Sequence, residues 1–202
     1  MLSYFTAEQR QKLAAARVGI AGAGGLGSNA AMMLARCGVG SLVLVDGDSV
    51  EPSNLNRQHY FPKHLGLPKA EALAEQLGDL RPAPAVETCQ LWLDEGNLPS
   101  LLDKADFWLE CLDDARLKAL FVSSCLRSGR SVISASGMGG FGGYAMTRRV
   151  RRMSGGFLAV VGDFRSDVAQ LPPLAPRVMQ CAAMQADAAL EFILTQNIQP
   201  LL

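Results

Sequence analysis

The sequence predicts an α/β fold: a Rossmann-like, mostly parallel sheet with helices on both faces and an antiparallel C-terminal extension. Three observations predict it. Short apolar runs alternate with helical stretches through the first two thirds of the chain. A glycine-rich turn joins the first apolar run to the first of these helices. The last third changes character, with two adjacent strand-like runs before a long closing helix.

Each element has its own reason. "RVGIAG" (17–22) is a short apolar run ending in glycine, read as a strand. "GLGSNAAMMLARCG" (25–38) is helical in composition and stops at Gly38. "SLVLVD" (41–46) is a second buried strand. "PKAEALAEQLGDL" (68–80) is helical, and Pro68 is acceptable at a helix start. "AVETCQ" (85–90) and "FWLECL" (107–112) are two more strands, separated by a short helix near 96–104. "DARLKALFVSSCLRSG" (114–129) is helical and "SVISAS" (131–136) is a fifth strand. "GGYAMTRRVRR" and "GFLAVVGDF" form an antiparallel pair, and "RVMQCAAMQADAALEFILTQ" (177–196) closes the fold as a helix. With no repeat, low-complexity tract or linker, residues 1–202 read as a single domain, long enough for one core and too short for two.

Composition narrows the function classes. The hydrophobic fraction is 49%, with 20 glycines and a formal net charge of zero. Nothing global therefore points to nucleic acid or an acidic membrane. The basic run Arg148, Arg149, Arg151, Arg152 reads as a solvated strand end or hairpin. No signal pattern and no membrane-length apolar stretch is visible, which leads us to expect a cytoplasmic protein. Cys37, Cys89, Cys111, Cys125 and Cys181 are scattered and never form a C-x-x-C pair. They suit buried small hydrophobes in a reducing compartment, not a disulfide framework or a zinc site.

Gly22-Ala23-Gly24-Gly25-Leu26-Gly27 matches G-x-G-x-x-G between a strand and a helix. Glycines there let backbone N–H groups approach phosphate at the positive end of the helix. Asp46 ends the next strand, where a carboxylate can accept ribose hydroxyls. The alternative is a turn that only packs helix on strand. The stretch "VLVDGDSVEPSNLNRQHYF" (43–61) then adds Asn54, Asn56, Arg57 and Gln58, more than a pyrophosphate needs. A triphosphate carries more charge. Arg57 offers a planar fork of donors and Lys69 a point charge. Asn54 and Asn56 suit sugar or phosphate. Asp113 follows the fourth strand at the ligand-binding edge of the sheet and could hold Mg²⁺. Each residue also has an ordinary reading: solvated cations, asparagine turns, and helix caps at Asp113 and Asp114.

"GAGGLGS", "VDGDSVEPSNLNRQ", "GLPKAEAL" and "CLDD" occur in the order and spacing of the ubiquitin-activating-like enzymes, the ThiF/MoeB/HesA family. The chain resembles this family over about residues 15 to 196, most closely a short ThiF-type adenylyltransferase of sulfur-carrier proteins. The resemblance implies that Gly22, Gly24, Gly25 and Gly27 line the phosphate loop. It gives Asp46 the ribose, assisted by Asp48 or Asn54. Arg57 and Lys69 would grip the triphosphate of ATP, and Asp113 would bind Mg²⁺; these three would carry catalysis. The implied reaction joins a carrier's C-terminal glycine carboxylate to the α-phosphorus of ATP, releasing pyrophosphate. A carboxylate is already a nucleophile, so positioning and charge neutralisation suffice without a general base.

The resemblance also implies the partners: a small ubiquitin-like sulfur carrier with a diglycine tail, thiamine synthesis being favoured, and a second copy of the chain. The helices "SNAAMMLARCG" and "CAAMQADAALEFIL" could offer an apolar face to that copy, or simply sandwich their own sheet. No zinc, nucleic acid or membrane is expected. Departures are visible too. The N-terminal R-Y-x-R-Q arginine motif of relatives is only echoed by Arg10-Gln11. The crossover segment "GDFRSDVAQLPPLAPRV" lacks the catalytic cysteine of many relatives. Cys181 reads as core, and His59 and His64 as surface or hinge residues. A non-catalytic nucleotide-binding scaffold and, more remotely, a nicotinamide-dependent oxidoreductase stay open as alternatives.

Overall fold

Thr6 opens the first helix with a capping box: its hydroxyl accepts from Gln9 N at 3.2 Å, and the Gln9 side chain accepts from Thr6 N at 2.9 Å. The helix that follows, α1 (Ala7–Ala15), is absent from the sequence reading above, although Thr6-x-x-Gln9 is its signature. The computed structural model describes residues 4–142, 145–153, 155–167 and 169–200.

The alternating part follows the expected order: β1 (Arg17–Ala21), α2 (Gly25–Arg36), β2 (Ser41–Val45), α3 (Lys69–Gly78), β3 (Ala85–Cys89), α4 (Leu98–Leu102), β4 (Phe107–Glu110), α5 (Ala115–Arg127) and β5 (Val132–Ala135). Then come β6 (Thr147–Met153), β7 (Gly156–Gly162) and the closing helix α6 (Ala175–Thr195). The start expected for the sixth strand includes residues 143 and 144, which lie outside the described residues.

The strands form one sheet in the order β3-β2-β1-β4-β5-β7-β6. β1 to β5 pair in parallel. β7 joins β5 in parallel, and β6 runs antiparallel along β7 at the edge. The strand order reverses between β1 and β4. Ligands of open α/β sheets bind outside the carboxyl ends of the strands at such a point.

Alternation along β2 shows why both faces need helices. Leu42 and Leu44 enter a core shared with α1, α2, α3 and α6, while Val43 and Val45 enter a second core with Leu98, Leu101, Trp108 and Phe121. The small residues of α2 and α6 pack within this fold. Ala30, Ala31, Ala182, Ala188 and Ala189 are fully buried. Of the two readings of these helices, burial of these alanines favours the one in which they sandwich their own sheet, because alanines let the two helices approach each other and the sheet.

Two further expectations are corrected. Arg148 is 3% exposed, not solvated. On β6 it faces the end of α6, where Glu191 pairs with it and its Nε donates to the Gln199 carbonyl at 2.7 Å. Arg149, Arg151 and Arg152 remain exposed on the hairpin. His64 is fully buried rather than superficial; a 3-10 turn (Pro62–His64) tucks it inward, and its Nδ1 accepts from Phe61 N at 2.9 Å.

Candidate nucleotide site

A cleft of about 420 Å³ opens at the carboxyl edge of the sheet, a size suited to a small-molecule ligand. Gly22, Gly24 and Gly25 line it, followed across the edge by Asp46, Asp48, Arg57, Gln58, Lys69 and Asp113. Segments far apart in sequence thus meet at the switch point.

The glycine turn has three distinct jobs. Gly22 adopts φ +94°, and a Cβ there would sit 2.6 Å from the Cys111 carbonyl oxygen. Gly24 caps α2 with no side-chain partner for the helix's first N–H groups. Those donors and the helix dipole form an anion seat. Gly27 does not line the cleft. A Cβ there would run into the Gly22 carbonyl, so this glycine packs helix on turn. Tyr60 braces the turn, its hydroxyl donating to the Ala23 carbonyl at 2.7 Å.

Asp46 is held by two backbone donors, Ala23 N at 2.6 Å and Asp48 N at 2.8 Å. Burial raises its pKa; those two N–H groups and the Lys69 charge oppose the rise. Lys69, 7% exposed, reaches Asp48 Oδ2 at 2.6 Å. Arg57 is half-buried, its Nη1 donating to the Ser53 carbonyl at 3.1 Å and to Asn56 Oδ1 at 2.9 Å. Asn54 stands behind the cleft wall. Its Oδ1 accepts from Glu51 N at 3.0 Å and its carbonyl accepts from Arg57 N and Gln58 N, so it shapes the loop that presents those two residues. Asn56 likewise orients Arg57.

Asp114, not Asp113, caps α5, accepting from Leu117 N at 2.8 Å. The adjacent Asp113 is exposed in the cleft wall. His59 is engaged outside the cleft, its Nδ1 lying 3.0 Å from Gln76 Oε1. Arg10 is not among the described residues that line the cleft. Cys181 is fully buried, and burial pushes its thiol up to about 12, as expected of a core cysteine.

The structure adds residues that the sequence reading missed. Glu110 is fully buried at the end of β4. It accepts from Lys118 Nζ and Ser134 Oγ, each at 2.5 Å, and from Leu112 N at 2.8 Å. Lys118 also lines the cleft, beside Ala135 and Met138. A glutamate inside "FWLE" was the available signal, since a buried carboxylate needs a cation. The crossover segment contributes Ser166 and Asp167. Asp163 organises it, accepting from Arg165 N and Ser166 N, both at 2.8 Å, while Arg177 pairs with it. Burial alone would raise the Asp163 carboxyl; these donors and the Arg177 charge hold it below its ordinary value.

The chain is similar to known proteins over this same framework. It is 41% identical over 128 residues to "Adenylyltransferase and sulfurtransferase uba4" of Aspergillus fumigatus, covering 63% of the chain and 26% of that relative. It is 34% identical over 172 residues to the uba4 protein of Aspergillus terreus, covering 85% of the chain and 35% of that relative. The chain thus spans about a quarter to a third of these curated relatives. Among solved structures, E. coli tRNA N6-threonylcarbamoyladenosine dehydratase, TcdA, in complex with ATP superposes with a TM-score of 0.85 at 22% identity, covering 96% of this chain and 91% of that one. E. coli MccB with ATP gives 0.74 at 21% identity, covering 96% of this chain and 65% of that one. These two likenesses show the shared fold. The ThiF family model matches residues 1–201, and the chain belongs to the ThiF family.

Proposed function

We propose that this protein is an ATP-dependent adenylyltransferase that activates the C-terminal glycine carboxylate of a small ubiquitin-like sulfur carrier. One observation carries the reading: an uncapped glycine-rich helix start, a strand-end carboxylate, two cations and a further carboxylate line one cleft. Membership of the ThiF family and the adenylyltransferase relatives support it.

The residues fit ATP. The N–H groups that open α2 have no side-chain cap and suit phosphate oxygens, and the Asp46 carboxylate beside them suits ribose hydroxyls. Across the edge, phosphates belong at β1 and α2, ribose at β2 with Asp46, and the acceptor carboxylate beyond β4. Arg57 and Lys69 would neutralise the triphosphate as the carboxylate oxygen bonds to the α-phosphorus and pyrophosphate departs. The acid needs no general base, so orientation and charge dominate. Asp113 would hold Mg²⁺, which supplies charge neutralisation on phosphate oxygens; one protein carboxylate plus phosphates is an ordinary Mg²⁺ arrangement. Lys118 gives the acceptor side a further cation.

Asp113→Asn keeps the shape and weakens a hard-cation ligand. Its expected outcome is loss of Mg²⁺-dependent pyrophosphate exchange with an unchanged circular dichroism spectrum. Exchange equal to wild type across a Mg²⁺ titration would place the metal elsewhere.

The finer reading favours the carrier of thiamine synthesis, on the resemblance to short ThiF-type enzymes, and a cytoplasmic setting, on five free cysteines. Among the described residues no helix is long and apolar enough to cross a membrane. A homodimer belongs to the same proposal. Its support is the family resemblance and a surface hollow lined by Phe141 and Leu174, of which 88% and 37% are exposed. Light scattering is expected to give twice the chain mass at micromolar concentration; a monomer there would defeat the dimer. The second reading, a scaffold that binds ATP without turnover, draws on the N-terminal arginine motif of relatives, which Arg10-Gln11 only echoes. Pyrophosphate exchange with candidate carriers separates the two.

A further inference from the structure

One buried phenol ties two walls of the cleft together from behind. Tyr60 is 4% exposed and belongs to the core rather than to the residues that line the cleft. Its hydroxyl proton is shared between two carbonyls, Ala23 at 2.7 Å and Lys69 at 3.1 Å. Ala23 lies inside the glycine turn, and Lys69 is the first residue of α3. Burial, and then the Asp46 charge, raise the Tyr60 pKa, so the phenol remains a donor at any working pH. A leucine would fill the same space with no hydroxyl to desolvate, so a tyrosine here calls for a reason.

The Ala23 carbonyl belongs to the peptide that also carries the Gly24 N–H. A trans peptide is planar, and its C=O and N–H point opposite ways. Tyr60 draws the carbonyl toward the core, which turns the Gly24 N–H toward the cleft that Gly24 lines. Sterics in the turn would not hold that orientation, because Gly24 has no Cβ to resist rotation of the peptide. A flipped peptide would present a carbonyl oxygen to the ligand in place of a donor. The preceding peptide is pinned too, Ala23 N donating to Asp46 Oδ2 at 2.6 Å. Tyr60 is itself anchored. Its N–H donates to the Gln58 carbonyl at 2.8 Å, and the adjacent His59 N donates to Ser28 Oγ on α2 at 3.0 Å. Its ring meets buried His64 edge-on, the centroids 6.2 Å apart.

We propose that Tyr60 is a positioning residue for the nucleotide: its hydroxyl holds the Ala23–Gly24 peptide with the N–H toward the phosphates and fixes the spacing between that donor and Lys69. This rests on the ATP reading and adds the device that pre-organises the phosphate end of the site. The phenol touches no ligand; it acts through the backbones of a donor and of a cation-bearing residue. Donors already aimed need no reorientation when phosphate arrives, so loss of the tie is felt in phosphate binding. A ligand without phosphate is indifferent to it. A tyrosine that only filled core would make no such distinction between ligands.

The full chain is titrated calorimetrically with ATP and tripolyphosphate, and by amide NMR with adenosine, as wild type and Tyr60→Phe. Tyr60→Phe keeps the ring and removes only the hydroxyl. It is expected to weaken ATP and tripolyphosphate each about three- to tenfold, the worth of one hydrogen bond, and to leave adenosine unchanged. Tripolyphosphate should move the Gly24 N–H resonance in wild type, and much less in Tyr60→Phe. ATP binding of equal strength to the two proteins would overturn the positioning role and leave the ATP reading standing. So would a loss for adenosine as large as that for ATP, which would make Tyr60 ordinary packing. A Gly24 resonance in wild type that ignores bound tripolyphosphate would overturn it without any variant. Failure of wild type to bind ATP would remove both.

Discussion

Lys69→Ala and Arg57→Ala are each expected to weaken ATP binding at least tenfold. A hydrogen bond to a charged group contributes about 1.5–3 kcal/mol, and each 1.4 kcal/mol is about a factor of ten. Lys69 should lie toward the larger loss. It is 7% exposed, so its charge is poorly screened by water, and Asp48 at 2.6 Å keeps it aimed. Removing it also leaves the Asp48 carboxylate facing the phosphates without its cation. Arg57 is half-buried and more accessible to salt, but Ser53 and Asn56 hold its fork in place. AMP lacks the outer phosphates and should lose less than ATP in both variants. Calorimetric titration of the two ligands checks this, with circular dichroism to confirm the fold. Wild-type ATP affinity in both variants would remove the triphosphate role.

Lys118→Met is expected to lower the melting temperature by about 6–12 °C. It leaves the carboxylate of Glu110, fully buried, with two neutral donors and no cation. Breaking a buried pair from one side costs about 3–5 kcal/mol. The Lys118 side chain is 27% exposed, so the lower end applies. At about 2–4 °C per kcal/mol for a chain of this size, the range follows. Adding Glu110→Gln removes the stranded charge, and the double variant should recover part of the loss. A Lys118→Met protein melting within about 2 °C of wild type would show that Glu110 is not held by this cation.

How much of this was legible in the sequence depends on how local each cause is. The glycine turn, Asp46, Arg57, Lys69 and Asp113 sit in contiguous motifs or at strand ends, and each reaches the cleft wall. Asn54 and Gly27 belong to the same motifs but stand behind that wall, one shaping a loop and the other packing a helix. A motif preserves spacing along the chain; it does not say which members face the ligand. The helix α1 was missed because its nine residues carry little amphipathic pattern and only Leu13 is buried.

The sequence by itself determined the alternation of strands and helices, the glycine-rich turn and the strand-end acid. These follow from residue periodicity, glycine's freedom at φ +94°, and an uncapped helix start. Only the tertiary structure decided which distant side chains share the cleft. Trp92, Lys118, Ser166 and Val178 come from four separate segments, and the order β3-β2-β1-β4-β5-β7-β6 brings them to one edge. It also decided that Arg148 and His64 are inside and that the alanines of α2 and α6 face each other's elements rather than a partner. The physical reason is that burial and pairing are properties of neighbours in space, and strand order, which chooses those neighbours, is set by packing the whole sheet at once.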